Sequence, residues 1–393
     1  MNKEDIVIVG AARTPMGALL GELSSVSAPA LGAAAIAAAV HRAGVKPEQV
    51  DEVLMGCVLS AGLGQAPARQ AVLAAGLPNS VPCTTVNKMC GSGMKAVMLA
   101  HDQLKSGSSS LMVAGGMESM SQAPYLLPKA RAGLRMGHAS LLDHLFLDGL
   151  EDAYEGGLMG AFAQRTADQF AIGRTAMDDF ALMSLARAQH AIAGGDFVTE
   201  ITPVKVETRH GNTVVNVDEQ PGKARPDKIP HLKPAFSHNG TITAANSSSI
   251  SDGAAALVLT TATQAKALGL VPWARVLAHA THAQLPAEFT QAPIGAIKKV
   301  LSKVGWQADE VDLYEINEAF AVVTLLAISE LGLDENKVNV NGGACALGHP
   351  IGASGARILV TLIHALRHRG LTRGVAALCI GGGEATAVAL ELV

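Results

Sequence analysis

The chain is 393 residues long, too long for one simple hydrophobic core and suited to two or three packed units. With 49% hydrophobic and 16% charged residues, 41 glycines and few aromatics, it has the composition of a compact α/β enzyme and not of a disordered or fibrous chain. A net charge of −4 gives no footing for nucleic acid or for an anionic membrane surface.

Met1–Asp5 leads directly into strand-like Ile6–Val9, without the charged and long apolar regions of a signal peptide. The richest apolar stretch, Leu31–Val40, is too short to span a bilayer. Helix Ala28–Arg42 follows, with Ser27 as N-cap, Pro29 in its first turn and Gly44 past its end. Then come strand Val53–Leu59, helix Pro67–Ala75, strand Val81–Val86, a helix from about Gly91 through Met94–Leu104, and strand Leu111–Ala114. Short apolar runs separated by helices predict a mostly parallel sheet covered on both faces.

From Gly115 to about Ser249 strands are hard to see, methionines recur, and Asp178–Ala193 is the one clear helix. The polar, proline-rich stretch 205–233 reads as an inserted, loop-rich subdomain, where binding residues tend to collect. Its Lys205, Arg209, Lys223, Arg225, Lys228 and Lys233 suit either a polyanionic ligand or a solvated face diluted by Asp218, Glu219 and Asp227. Strand Ala254–Thr260 returns to the first sheet. The alternation then resumes: Ala274–His279, helix Pro293–Val304, Val311–Ile316, helix Ala319–Leu331, strand Val338–Val340, helix Gly352–Arg369, and a hairpin of Val375–Ile380 and Ala385–Leu390 about Gly381–Gly383. The same strand–helix order thus occurs twice, which predicts an internal duplication with the site where equivalent helix N-termini converge. The expected units are 1–120 plus 250–271, the insert 121–249, and 272–393.

Cys90 stands where a strand hands over to a helix N-terminus, in Val86-Asn87-Lys88-Met89-Cys90-Gly91-Ser92-Gly93. Unpaired N–H groups and the helix dipole there favour a thiolate, so a lowered pKa is expected. A lone cysteine beside such a turn is more often a small buried residue. His349 changes that balance. It sits in the pseudo-equivalent glycine-rich loop, Asn341-Gly342-Gly343 through Gly348-His349-Pro350-Ile351-Gly352, and could deprotonate the thiol. Cys379 ends another strand before Gly381-Gly382-Gly383, whose backbone N–H groups can face a ligand. Asn317, in Asn317-Glu318-Ala319-Phe320, would serve equally as an N-cap. The five cysteines, Cys57, Cys83, Cys90, Cys345 and Cys379, are odd in number and lack CxxC spacing, which argues for a reducing compartment and a cytoplasmic protein.

These motifs, together with Gly115-Gly116-Met117-Glu118-Ser119-Met120-Ser121, occur in the order found in thiolases, and the chain resembles that family over essentially its whole length. The resemblance implies a duplicated five-layer α/β fold, two similar mixed-sheet units with an inserted loop subdomain. It implies the acetyl-CoA acetyltransferase reaction: reversible Claisen condensation of two acetyl-CoA through an acyl-Cys90 intermediate. His349 accepts the Cys90 proton, and Cys379 exchanges a proton at the carbon beside the second thioester. One oxyanion hole uses N–H groups near Cys90 and Gly381, the other His349 and a water held by Asn317. Ser248 would touch the pantetheine arm; Leu150, Met159, Phe236, Ala244 and Phe320 would line its tunnel; Lys223 and Arg225 are candidates for the nucleotide phosphates. No cofactor or metal is implied, the partners are CoA and acyl-CoA, and relatives are commonly homodimers or homotetramers.

The chain departs from short-chain biosynthetic relatives at Leu158, where many carry His, at Cys345, where Ile or Val is usual, and at Pro221, about where some place a phosphate-binding Arg. These changes bear on acyl chain length and leave a broader 3-ketoacyl-CoA thiolase as the second reading. A nicotinamide-dependent oxidoreductase would need GxGxxG after the first strand, which Val9-Gly10-Ala11-Ala12-Arg13 does not supply. A non-catalytic acyl-CoA-binding homologue would need neither cysteine nor His349. Ketoacyl synthases pair one cysteine with His/His or His/Asn, which the Cys379 motif opposes.

Overall fold

The structure, a computed structural model, describes residues 4–209 and 211–393; Met1, Asn2, Lys3 and His210 lie outside the described residues. Strand β1 spans Ile6–Arg13, helix α1 Ala28–Ala43, β2 Glu52–Gly56, α2 Pro67–Ala74, β3 Cys83–Val86, α3 Ser92–Ser106 and β4 Leu111–Ser119. The inserted segment contributes α4, Met159–Gln169, and α5, Arg174–Gly194, plus two small two-stranded sheets. Then follow β5 Ser251–Thr261, β6 Ala274–Ala283, α6 Ala292–Val304, β7 Leu313–Ile316, α7 Ala321–Leu331, α8 Ile351–Arg369, β8 Arg373–Ile380 and β9 Glu384–Leu392. No described helix is long and apolar enough to cross a membrane.

The nine strands run in the order β7-β8-β9-β6-β1-β5-β4-β2-β3, with Gly17–Ala18 added against β5. The first half is β1-β5-β4-β2-β3 and the second β6-β9-β8-β7, the same order repeated without a counterpart of β3. They meet in one short antiparallel contact, Ile6–Ile8 of β1 against Ala274–Val276 of β6. Side chains of a strand alternate between faces, so each half-sheet buries two apolar surfaces. Ile6 and Ile8 face the central cluster with Leu257, Leu378 and Leu390, where α3 and α8 lie between the half-sheets. Val7 and Val9 face the other way, toward α1 and α2. Val375, Ala377, Ala385 and Ala387 of the second half face α6 and α7. Helix, sheet, helix, sheet, helix: the fold is a five-layer duplicated α/β structure.

Local choices agree with this arrangement. The Ser27 hydroxyl accepts from the Ala30 N–H at the start of α1, and Gly44 takes the left-handed conformation at its end. Four expectations differ. The sheet is not mostly parallel: β2 pairs in parallel with β3 and β4, and β7 with β8, whereas β1–β5, β1–β6, β4–β5, β6–β9 and β8–β9 are antiparallel. Strand β4 does not stop at Ala114 but runs on through Gly115 and Gly116 to Ser119. Those glycines are packing sites: a Cβ on Gly116 would lie 2.0 Å from the Gly352 carbonyl oxygen, and one on Gly115 2.1 Å from that of Ala255. Val338–Val340 is no strand and makes a single bridge, Val338 to Tyr314. Asn339 there has φ +47°, and its amide donates to the Ile316 carbonyl at 2.8 Å and accepts from the Ile316 N–H at 2.8 Å. A side chain thus takes the place of a ladder rung. Strand β2 ends at Gly56 because the N–H groups of Val58 and Leu59 turn aside to Glu118.

The insert is also more helical than a loop-rich reading implies. Helix α4 carries Gln164 and Thr166 on its buried side beside Phe162, Ala163 and Ala167, which hides its apolar stripe. The insert is fastened to β1 by Arg13, whose buried guanidinium pairs with Asp218 at 2.7 and 2.8 Å and with Glu200. Gly116→Ala is expected to destabilise by about 2–4 kcal/mol, because backbone and not a flexible side chain must give way. Gly222→Ala, in a short helix with open space around it, should change stability by less than about 1 kcal/mol. Thermal melting of the two variants checks the contrast.

Candidate active site

Helices α3 and α8 cross at their N-terminal ends. A Cβ on Gly355 would sit 2.5 Å from the Met94 nitrogen, and one on Gly93 2.9 Å from that of Ala356. Only glycine allows backbones so close. The contact brings the loops that precede the two helices, with Cys90 and His349, to one cavity of about 380 Å³. Cys379 and Gly381, from the end of β8, line it as well.

The Cys90 turn is tightly determined. Met89 has φ +47°, which a side chain bearing a Cβ adopts only under constraint. The constraint is visible: the Asn87 side chain accepts from the Met89 N–H at 3.0 Å, the Ser92 hydroxyl donates to the Met89 carbonyl at 2.6 Å, and the Ser92 Oγ accepts from the Lys88 N–H at 2.8 Å. An ion pair from Lys88 to Glu384 ties this turn to the hairpin that carries Cys379.

Cys90 keeps partial exposure where it lines the cavity, yet its thiol is pushed up to about 11. Burial is the main cause; the N–H groups of Gly381 and of Cys90 itself pull the value down, and the Glu118 charge raises it. The lowered pKa expected from the helix N-terminus is therefore not found. Burial also drives Cys379 well above the ordinary thiol range, and a charge on Cys90 raises it further, so the two sulfurs are electrostatic neighbours.

His349 is buried and shifted down to about 3, first by burial and then by the Arg357 guanidinium. The Ser354 hydroxyl donates to the Pro350 carbonyl at 2.8 Å, so it receives a hydrogen bond from His349 Nδ1. That network assigns the proton to Nδ1 and leaves Nε2, which has no protein partner, with a free lone pair. Ser354 was not singled out in the sequence; its only signal was its place five residues after His349, inside the next helix turn.

Behind the cavity lies Asn317, which does not line it. Its side-chain oxygen and nitrogen are both buried without a protein partner, while its N–H donates to Ala377. Segment 246–250 runs beside 319–321, with Ser248 N–H on the Ala319 carbonyl and the His349 N–H on that of Ser249. Ser248, Ala244, Leu150, Met159, Phe236 and Phe320 all line the cavity, joined by Phe146, Leu158, Phe289 and Ile351. Lys223 and Arg225 line a neighbouring pocket of about 320 Å³ that shares Ala244 and Ser249 with the first. The sequence reading also passed over Glu118, whose buried carboxylate accepts from the N–H groups of Val58, Leu59 and Gly352 and is pushed up to about 7 by burial.

Two family descriptions match: "Thiolase, N-terminal domain" over residues 6–263 and "Thiolase, C-terminal domain" over 270–392. The chain belongs to the thiolase family. It is 52% identical to acetyl-CoA acetyltransferase 2 of Arabidopsis thaliana, covering 100% of this chain and 98% of that protein. With acetyl-CoA acetyltransferase of Cupriavidus necator the identity is 50%, covering 98% and 99%. Among solved structures, the Bacillus anthracis acetyl-CoA acetyltransferase superposes with a TM-score of 0.97 at 41% identity, covering 99% of both chains. The Acat5 thiolase of Ascaris suum, in complex with coenzyme A, gives 0.94 at 43% identity, covering 99% and 100%. In this thiolase Cys90, His349 and Cys379 thus meet at one cavity, with Asn317 behind it.

A histidine held neutral in the fold makes stability depend on pH. The folded pKa of His349, about 3, lies below its ordinary 6.5. Its contribution is complete above about pH 6.5 and is lost as pH falls, because the unfolded chain then binds a proton that the folded one refuses. At pH 5 the loss is about 2 kcal/mol. Denaturant unfolding at pH 7.5 and pH 5 should show His349→Asn losing that much less than the parent. Equal losses would mean that His349 takes up the proton in the folded protein.

Proposed function

We propose that this thiolase is an acetyl-CoA acetyltransferase, joining two acetyl-CoA into acetoacetyl-CoA and CoA and running in reverse as a thiolysis. The observation that carries the reading is the convergence of Cys90, His349, Cys379 and the Gly381 N–H on one apolar cavity. The names of the relatives and the coenzyme A complex of the Ascaris suum structure support the substrate class.

In this reading Cys90 and His349 rest as neutral thiol and neutral imidazole. The raised pKa of Cys90 and the lowered pKa of His349 both favour the neutral pair before substrate enters. Proton transfer to Nε2 thus accompanies attack on the thioester carbonyl. The Cys90 sulfur bonds to the acyl carbon, the carbon–sulfur bond to CoA breaks, and the CoA sulfur takes the proton from His349. The N–H groups of Cys90 and Gly381 are placed for the oxygen that becomes negative. The Cys379 thiol then gives its proton to the freed Nε2 of His349, and the thiolate removes a proton from the methyl carbon of a second acetyl-CoA. The resulting carbanion attacks the Cys90 acyl carbon, the Cys90–carbon bond breaks, and the Cys90 sulfur takes the proton from His349. The enolate oxygen of that carbanion accepts from the Nε2–H of the His349 imidazolium formed in that step and from a water held by the Asn317 amide, whose buried polar atoms have no protein partner. Every proton and electron pair is accounted for by side chains of this chain.

The same reading includes a homo-oligomer in a reducing, cytoplasmic setting. All five cysteines are free, and residues 125–147 expose the apolar side chains of Tyr125, Met136 and Leu141, which a second subunit would cover.

CoA-dependent thiolysis of 3-ketoacyl-CoAs from four to sixteen carbons tests the substrate. A sharp preference in kcat/KM for acetoacetyl-CoA is expected; a profile flat or rising with length would assign the broader 3-ketoacyl-CoA thiolase activity, and no cleavage at all would sink the enzymatic reading. For the roles, Cys90→Ser should abolish acyl-enzyme formation. Cys379→Ser should still acylate at Cys90 but exchange no deuterium into the acetyl methyl, and full condensation by that variant would overturn its role. Ser354→Ala should lower kcat by about 10²-fold or more, as expected when a catalytic base loses its orienting partner; unchanged kcat would show that the tautomer needs no fixing.

A further inference from the structure

Three metal-ligating side chains converge at a corner that the reaction does not use. His101 and Asp102 are consecutive on α3, toward the end remote from Cys90. His279 stands on β6, past Val276, the last residue of that strand paired with β1. The Asp102 Oδ1 lies 3.1 Å from His101 Nδ1 and 2.9 Å from His279 Nε2, and the three ligand atoms all lie within 4.8 Å of one another. The two imidazoles meet edge to face with centroids 5.0 Å apart. His101 is buried, His279 is mostly covered, and the Asp102 side chain is 55% exposed.

We propose that His101, Asp102 and His279 form a binding site for a divalent transition-metal ion, with Zn²⁺, Co²⁺ and Ni²⁺ as the fitting class. Two imidazole nitrogens and one carboxylate oxygen are the donors such ions favour, whereas Mg²⁺ and Ca²⁺ seek oxygen alone. Adjacent ligands on an ion with bonds of about 2.1 Å stand ~3 Å apart, which is the spacing seen on both sides of Asp102. The exposed edge of the carboxylate leaves further positions to water. Binding requires of each neutral imidazole only that its proton move to the opposite ring nitrogen, and the single positive charge left over by the ion and one carboxylate lies at the solvent-exposed edge of Asp102. Lys105 and Lys303, the lysines of this corner, are engaged with the backbone carbonyls of Glu4 and His279. The ion would fasten a helix of the first half to a strand of the second beyond the three-residue contact that joins the half-sheets. Its role is then a structural clamp, separate from the catalytic cavity.

The test is a Co²⁺ titration of the full chain after chelator treatment, followed by visible absorption and by thermal melting. Cobalt separates this site from the catalytic one, because coordination by Cys90 or Cys379 adds a thiolate charge-transfer band. Expected is one Co²⁺ per chain without that band, a melting midpoint raised by a few degrees, and the same result in Cys90→Ala. His279→Ala and Asp102→Ala should each weaken binding at least tenfold while keeping the thiolysis rate and metal-free melting midpoint of the parent. Asp102 is exposed enough that its removal leaves folding intact, so the second variant decides if the first is unstable. No binding, binding only with the thiolate band, or binding undiminished in both variants would overturn the proposal and leave a carboxylate hydrogen-bonded between two histidines.

Discussion

The backbone contact between α3 and α8 is the constraint on which the rest of the structure depends. Duplicated halves supply two equivalent helices, and Gly93 and Gly355 let them cross without intervening side chains. Once they touch, the loops before them face the same space, so a sequence separation of hundreds of residues collapses to one cavity. Other close approaches serve the same packing. Gly116 in β4 leaves room for the Gly352 carbonyl, and the Glu118 carboxylate accepts the Gly352 N–H from the opposite half. A helix N-terminus from one half is thereby capped by a carboxylate from the other.

This geometry has an electrostatic consequence that the local sequence does not convey. A helix N-terminus stabilises an adjacent anion by about 0.3–1 kcal/mol, and by up to about 2 in partly buried settings. Desolvation of a buried ionisable group reaches several pKa units in the opposite direction. In the cavity the second effect wins, and Cys90 stands at about 11 while His349 stands at about 3. The site is therefore quiet when empty. In the proposed reaction, charge leaves the thiol sulfur only when a carbonyl is there to receive it and pass it to fixed N–H groups, which would spare the thiols from unwanted chemistry.

Much of the fold was legible because the local and global signals agree. Both-face burial turns β1, β5 and β8 into near-continuous apolar runs, and Ser27, Gly44 and the glycines 381–383 mark ends and turns by their own chemistry. Repetition of the order, not any one element, disclosed the duplication and pointed to Cys90 and His349 together. What was not legible depends on partners distant in the chain. Gly115 and Gly116 read as a strand end because nothing nearby says that a helix must pass over them. Asn339 imitates a ladder rung with its side chain, and α4 buries polar Gln164 and Thr166, so neither carries the period of its structure. Ser354 fixes the His349 tautomer only through a hydroxyl whose own proton is taken by Pro350, a relation three-dimensional in origin.

The positions where the chain departs from its family pattern gain a physical reading from the two adjoining pockets. Leu158 lies on the cavity wall among Phe146, Phe236, Phe289 and Phe320, so an acyl group entering there meets apolar surface and is selected by shape. Cys345 lines the outer pocket and not the cavity of Cys90; its thiol donates to the Glu318 carbonyl at 3.6 Å and packs against the Phe162 and Phe320 cluster. Pro221 is buried, and its carbonyl accepts from the Gln189 amide at 2.9 Å. Lys223 is already paired with Glu219 at 2.5 Å and stands 3.8 Å from Glu22. Arg225 and Lys228 enter no ion pair among the described residues, and both line the outer pocket. A polyanionic head held by those two cations would place its apolar arm across Ala244 and Ser249, the residues common to both pockets, with its reactive end directed inward to Cys90. Under the proposed function, recognition and reaction would be separated along one path: charge at the mouth would hold the carrier, while burial keeps the Cys90 thiol protonated until the thioester reaches it.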